Sequence, residues 1–134
     1  MTTIARGSFT VDMSPQGDPD TQDGVSLGHL SLRKRFEGDL DATGEGRMLT
    51  ATTPVKGSAG YVAIERFSGS VHGRRGSFVL QHNGVMTRGA PQLTVTVVPD
   101  SGTGELAGLS GTMDIIVSPG KHEYDFRYAF ADAG

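Results

Sequence analysis

Between Gly73 and Gly84 the chain reads Gly73-Arg74-Arg75-Gly76-Ser77-Phe78-Val79-Leu80-Gln81-His82-Asn83-Gly84, a glycine-bounded turn feeding an apolar run that ends in a histidine and an amide. Such a run predicts a strand that carries polar chemistry toward one end of a sheet. Upstream lies Tyr61-Val62-Ala63-Ile64-Glu65-Arg66-Phe67, its hairpin partner, and downstream the glycine-rich Ser101 to Gly111. Together the three blocks predict an all-β fold closed into a barrel.

The rest of the chain extends this pattern. Twenty glycines punctuate short stretches rich in Val, Thr, Phe, Tyr and Ile, the pattern of many strands joined by tight turns. Strands are expected at Ile4–Val11, Leu27–Phe36, Gly46–Thr53, Ala59–His72, Gly76–Gly84, Gln92–Pro99, Gly111–Val117 and Lys121–Ala131, with little helix. About eight antiparallel strands is the number at which a closed barrel just holds side chains or one small ligand, as in lipocalin-like barrels, and closure removes exposed edges. Residues 12–26, acidic and turn-rich with Pro15, Gly17 and Pro19, read as a mobile loop over one barrel mouth or as plain solvated linker. At 134 residues the chain is expected to form a single β-barrel domain over 1–134, large enough to remove about two-thirds of its unfolded surface from water.

Composition narrows the function. No cysteine is present, so disulfides, thiolate metal sites and cysteine nucleophiles are excluded. A net charge of -3 is the wrong balance for a phosphate backbone, so no nucleic-acid partner is expected. Arg33-Lys34-Arg35 and Arg74-Arg75 are the basic clusters and read as solvated side chains. With no signal-like opening and no apolar run of spanning length, the expectation is a cytoplasmic protein without a membrane partner. Gly24-Val25-Ser26-Leu27-Gly28 matches a nucleophile-elbow pattern, but no helix follows it. Gly102-Thr103-Gly104-Glu105-Leu106-Ala107 matches a dinucleotide fingerprint, but Gly108 and Gly111 break any helix there, leaving a barrel corner. The four histidines, 29, 72, 82 and 122, lack the close spacing that assembles a metal site on one strand. No metal and no cofactor are therefore expected.

Strand parity proposes an interior, because alternate side chains face opposite ways. If Arg74-Arg75 is a two-residue hairpin turn, Phe67 lies opposite His82 and Glu65 one diagonal step from it. Tyr61, Ala63, Glu65, Phe67, Val71, Phe78, Leu80 and His82 then share a face more apolar than that of Ser68, Ser70, Ser77, Gln81 and Asn83. A three-residue turn would put Glu65 and His82 on opposite faces. The same parity gathers His122, Tyr124, Phe126, Tyr128 and Phe130 inward, and sets Lys34 among Leu30, Leu32 and Phe36. A lysine there needs a carboxylate partner, and Glu65 is the natural one. Glu65, His82, Lys34, His122, Tyr61 and Tyr124 would be the few polar groups of an apolar, small-molecule pocket walled by Phe67, Phe78 and Leu80. His82 can equally be a satisfied core histidine bonded to Glu65.

Tyr61 to Arg66, Gly73 to Gly84 and Val98 to Gly111, with Phe36-Glu37-Gly38-Asp39-Leu40 and His122-Glu123-Tyr124-Asp125-Phe126, resemble the hallmarks of the bacterial "domain of unknown function 3224" family. That resemblance implies an allene-oxide-cyclase-like eight-stranded barrel with a central cavity, an apolar ligand and a homo-oligomer. It supplies no reaction and no catalytic motif. Two functional classes follow. One is a cofactor-free isomerase or cyclase acting on a polyene, epoxide or enone, with Glu65 as base or anion, His82 as its acid partner, and Tyr61 or Tyr124 donating to an oxyanion. The other is a carrier of a lipophilic ligand. A structural domain with a filled interior would have no pocket at all.

Overall fold

The computed structural model describes residues 2–131. Its strands are β1 (Thr3–Pro15), β2 (Asp20–Gln22), β3 (Val25–Gly38), β4 (Leu40–Thr52), β5 (Ala59–Val71), β6 (Arg74–Thr87), β7 (Ala90–Val97), β8 (Leu109–Ser118) and β9 (Lys121–Phe130). All pair antiparallel in the order β1-β9-β8-β7-β6-β5-β4-β3-β2, and a further β1–β3 ladder closes eight of them into a barrel. β2 pairs with the first residues of β3 and takes no part in closure. The thinnest seam is β7–β8, joined by the single pair Thr96↔Thr112. Among the described residues no helix is long and apolar enough to cross a membrane.

The turns explain where the sequence reading slipped. His72 and Gly73, at φ 46° and 81°, form the β5–β6 turn, the left-handed pair that a two-residue hairpin requires. Val71 therefore pairs with Arg74, Phe67 with Phe78 and Ala63 with His82, and Arg74-Arg75 belongs to β6. The turn lies two residues earlier in the chain than the Gly-Arg-Arg-Gly bracket suggests, which moves the pairing by four and, the turn being two residues long in either place, preserves parity. Glu65 and His82 accordingly share the interior, still one diagonal step apart, although the expected Phe67–His82 pairing does not form. The segment 12–26 is also corrected: Asp12 to Pro15 continue β1 against β3, and Asp23-Gly24, at φ 53° and 80°, closes a second hairpin between β2 and β3. An Asp-Gly pair is a strong hairpin signal.

Inward parity carries the buried apolar side chains of the strands; Leu49, Val62, Ile64 and Val85 are apolar but face outward and are exposed, and Ser70 departs from its outward neighbours in being buried. At one end the interior is solid. Phe67 stacks on Phe78 with centroids 4.4 Å apart, Phe78 on Phe126 at 5.7 Å, and Phe126 on Tyr128 at 5.4 Å. The connection between β7 and β8 folds over this end, with a short 3-10 turn at Gly104–Leu106 that presses Leu106 into the core. Thr103 fastens it by donating its backbone N–H to the Ser77 carbonyl at 2.8 Å.

Candidate functional site

The site begins with two missing side chains. Inward positions 44 and 46 of β4 are both glycine, opposite Lys34 and Leu32 on β3 and opposite Phe67 and Glu65 on β5. With no Cβ between them, Lys34 and Glu65 meet across β4: Lys34 Nζ donates to Glu65 Oε1 at 3.0 Å. A Cβ on Gly44 would lie 2.1 Å from Glu65 Oε2. From the other side, His82 Nε2 reaches the same Oε1 at 2.9 Å. The Lys34, His82 and Glu65 side chains are 7%, 3% and 0% exposed, respectively.

Burial pushes the Glu65 carboxyl up, but the His82 hydrogen bond and the Lys34 charge outweigh it and hold the group below its ordinary value. The carboxylate is ionised and can only accept, so His82 Nε2 is the donor and Nδ1 the ring's remaining acceptor. Glu65 Oε2 has no partner; among the described residues it is the one sealed, unsatisfied side-chain polar atom. The Lys34 ammonium also stands over the Phe9 ring, 5.0 Å from its centroid, a contact favourable for a desolvated cation.

Above this floor the barrel opens into a cavity of about 450 Å³. Its wall is aliphatic, with Val11, Leu32, Met48, Leu93, Ile115 and Val117 among the contributors, and its polar groups include Lys34, Tyr61, His82 and His122. Tyr61 lies beside His82 with ring centroids 6.3 Å apart; burial, then the Glu65 charge, pushes its phenol up, so it stays a neutral donor. His122 packs on Phe9 at 5.2 Å. At the mouth Met13 and Val117 are 53% and 68% exposed.

Of the residues singled out in the sequence, Lys34, Tyr61, His82 and His122 line the cavity, whereas Glu65, Phe67, Phe78, Leu80 and Tyr124 do not. Phe67, Phe78 and Leu80 stand at the solid end, where aromatic stacking leaves no room for a ligand. Tyr124 is engaged elsewhere: its hydroxyl donates to the Glu37 carbonyl at 2.7 Å and accepts the Leu40 N–H at 2.9 Å, tying down the β3–β4 turn. Glu65 sits beneath the floor and acts on the cavity through Lys34 and His82. The sequence reading missed the aliphatic wall, which inward parity on β4 and β7 would have found, and missed the Gly44/Gly46 gap because its third strand began at Gly46. It also missed a cluster at the solid end, where His72 bonds Tyr128 through Nδ1 and faces Asp39 through Nε2 at 3.4 Å. Among the described residues no three His, Asp or Glu side chains gather as a metal site.

Residues 5–128 match the family described as "Protein of unknown function (DUF3224)". A crystal structure of a protein of unknown function from the DUF3224 family of Shewanella oneidensis MR-1 is similar at 50% identity, covering 99% of this chain and 100% of that one, with a TM-score of 0.95. No curated protein matches. The chain belongs to the DUF3224 family.

Proposed function

We propose that this DUF3224 barrel is a receptor for an apolar small molecule, held in the open half with its one polar end on the Lys34–His82 floor. The observation that supports this reading is a cavity of about 450 Å³, within the size range of small-molecule sites, whose aliphatic wall converges on a few buried polar groups. A purely structural barrel would gain stability by filling this space, as the other end does. A carrier needs no more than this cavity. The isomerase or cyclase reading draws support from a second feature, a carboxylate-bound histidine and an ammonium on the same wall.

Native mass spectrometry of the protein taken from its own host tests the receptor reading. A co-purified small molecule is expected, and it should be absent from a Thr50→Trp variant, whose indole fills the cavity. Host protein that carries nothing, and that also fails to bind a neutral apolar fluorescent dye such as Nile red, overturns it.

A further inference from the structure

The Lys34 ammonium offsets the Glu65 carboxylate, so the buried ion pair carries no net charge, and His82 gives its Nε2–H to that carboxylate. An anionic ligand would leave an uncompensated charge in a low-dielectric site. The free capacity is of two kinds. Lys34 has three N–H donors and spends one on Glu65. His82 Nδ1 has no hydrogen-bond partner among the described residues and is not among the sealed atoms there, so it is open to the cavity. Lys34 Nζ and His82 Nε2 are both anchored to one oxygen, Glu65 Oε1, so a single ligand end meets the ammonium and the far ring nitrogen, Nδ1, together. A neutral group that accepts at one atom and yields a proton from the next carbon is a carbonyl.

Resting on the receptor reading, we infer that the barrel takes a neutral, apolar ketone or enone and moves a proton at the carbon beside its carbonyl. His82 Nδ1 removes that proton; the C–H electron pair forms a carbon–carbon double bond as the carbonyl π pair moves onto oxygen, where a Lys34 N–H meets the growing negative charge. With a β,γ-unsaturated enone, His82 then returns the proton to the γ carbon, giving the conjugated isomer. No electron is gained or lost and no co-reactant is needed. Glu65 is a positioning residue: by holding Nε2–H it fixes the tautomer and raises the basicity of Nδ1.

The test uses methyl nonyl ketone in D₂O, with hydrogen–deuterium exchange read by NMR and binding read separately by calorimetry. Wild type should exchange the hydrogens beside the carbonyl faster than buffer containing an equal concentration of imidazole. His82→Gln should lose exchange at least ~100-fold while still binding the ketone, the lower end of general-base effects. Thr50→Trp, which leaves the floor untouched, should lose both. Glu65→Gln should lower the exchange rate with binding retained, since the amide no longer holds the His82 Nε2–H as the carboxylate does. The other titratable groups facing this floor are Lys34 from β3, Tyr61 from β5 and His122 from β9, while β7 and β8 face it with Leu93 and Ile115. Ketone bound without exchange, or full exchange in His82→Gln, overturns the inference and leaves the receptor reading standing. Binding of Nile red without binding of the ketone does the same. Failure of both probes to bind overturns both.

Discussion

At the end of the barrel closed by the β3–β4, β5–β6 and β7–β8 connections, Phe67, Phe78 and Phe126 fill the interior ring against ring. At the other end the same strands present Met48, Gly84, Leu93 and Val117 around open space. Each inward strand face thus changes role along its length, and the Lys34–Glu65–His82 cluster sits where it changes. Packed core and open cavity are separated along the barrel axis. The aromatic half anchors the strands, which lets the other half forgo a packed core.

Cutting into each half should break this symmetry of strands most visibly. Phe78→Ala removes a fully buried ring stacked between two others, a loss of about 3–5 kcal/mol. Leu93→Ala trims a side chain that is already 41% exposed at the cavity wall, where changes stay near ~0.5 kcal/mol. Urea unfolding of both variants checks this. Similar losses at the two sites would mean that the open half is packed in solution.

How much of this contrast could be read beforehand depends on which physical signal carried it. Period-two alternation placed Glu65, His82 and Lys34 inside, and it survived a misplaced turn because the real turn is also two residues long. The lone lysine among leucines announced its own partner, since an unpaired charge there would not be tolerated. Whether a face meets a partner ring or empty space is a property of the assembled barrel. Phe67 and Tyr61 have the same inward parity, yet one is sealed and the other lines the cavity, because the loop carrying Leu106 covers only one end. Tyr124 looked like a donor to a ligand for the same reason. Its true partners, Glu37 and Leu40, lie more than eighty residues away in sequence.

The boundary between the halves can be probed through its charges. Removing only the carboxylate, in Glu65→Leu, strands the Lys34 ammonium and should cost toward the lower end of about 3–5 kcal/mol, because the open cavity lets some water reach it. Glu65→Leu with Lys34→Met restores neutrality and should recover part of that loss, remaining about 1–3 kcal/mol below wild type because the buried His82 Nε2–H has lost its acceptor. The pH dependence has a definite sign. Glu65 is held below its ordinary value of 4.5 in the fold, so its contribution is present above that value and is lost as pH falls through the lowered one. Asp39, held down first by the Arg6 backbone N–H, acts in the same direction. Urea midpoints followed downward from about pH 6 should therefore fall less steeply in the double variant than in wild type. Parallel curves would show that the pair adds no acid sensitivity.

A single added methyl group tests why β4 is bare at this boundary. An alanine at position 44 places a Cβ 2.1 Å from Glu65 Oε2 and 3.2 Å from Phe36 Cε2, so the carboxylate must move away from Lys34 and His82. Overpacking of this kind costs about 1–3 kcal/mol, partly offset by the ~0.5–1 kcal/mol gained when alanine replaces glycine in a strand. Gly44→Ala should thus destabilise by roughly 1–2 kcal/mol. In a Glu65→Ala, Lys34→Met background the obstructed atom is gone, and the same change should be neutral or mildly stabilising. The double-mutant cycle isolates that difference as a coupling between positions 44 and 65. If the penalty persists unchanged without the carboxylate, the glycine is required by Phe36 and the aromatic half, and the gap in β4 was not made for the ion pair.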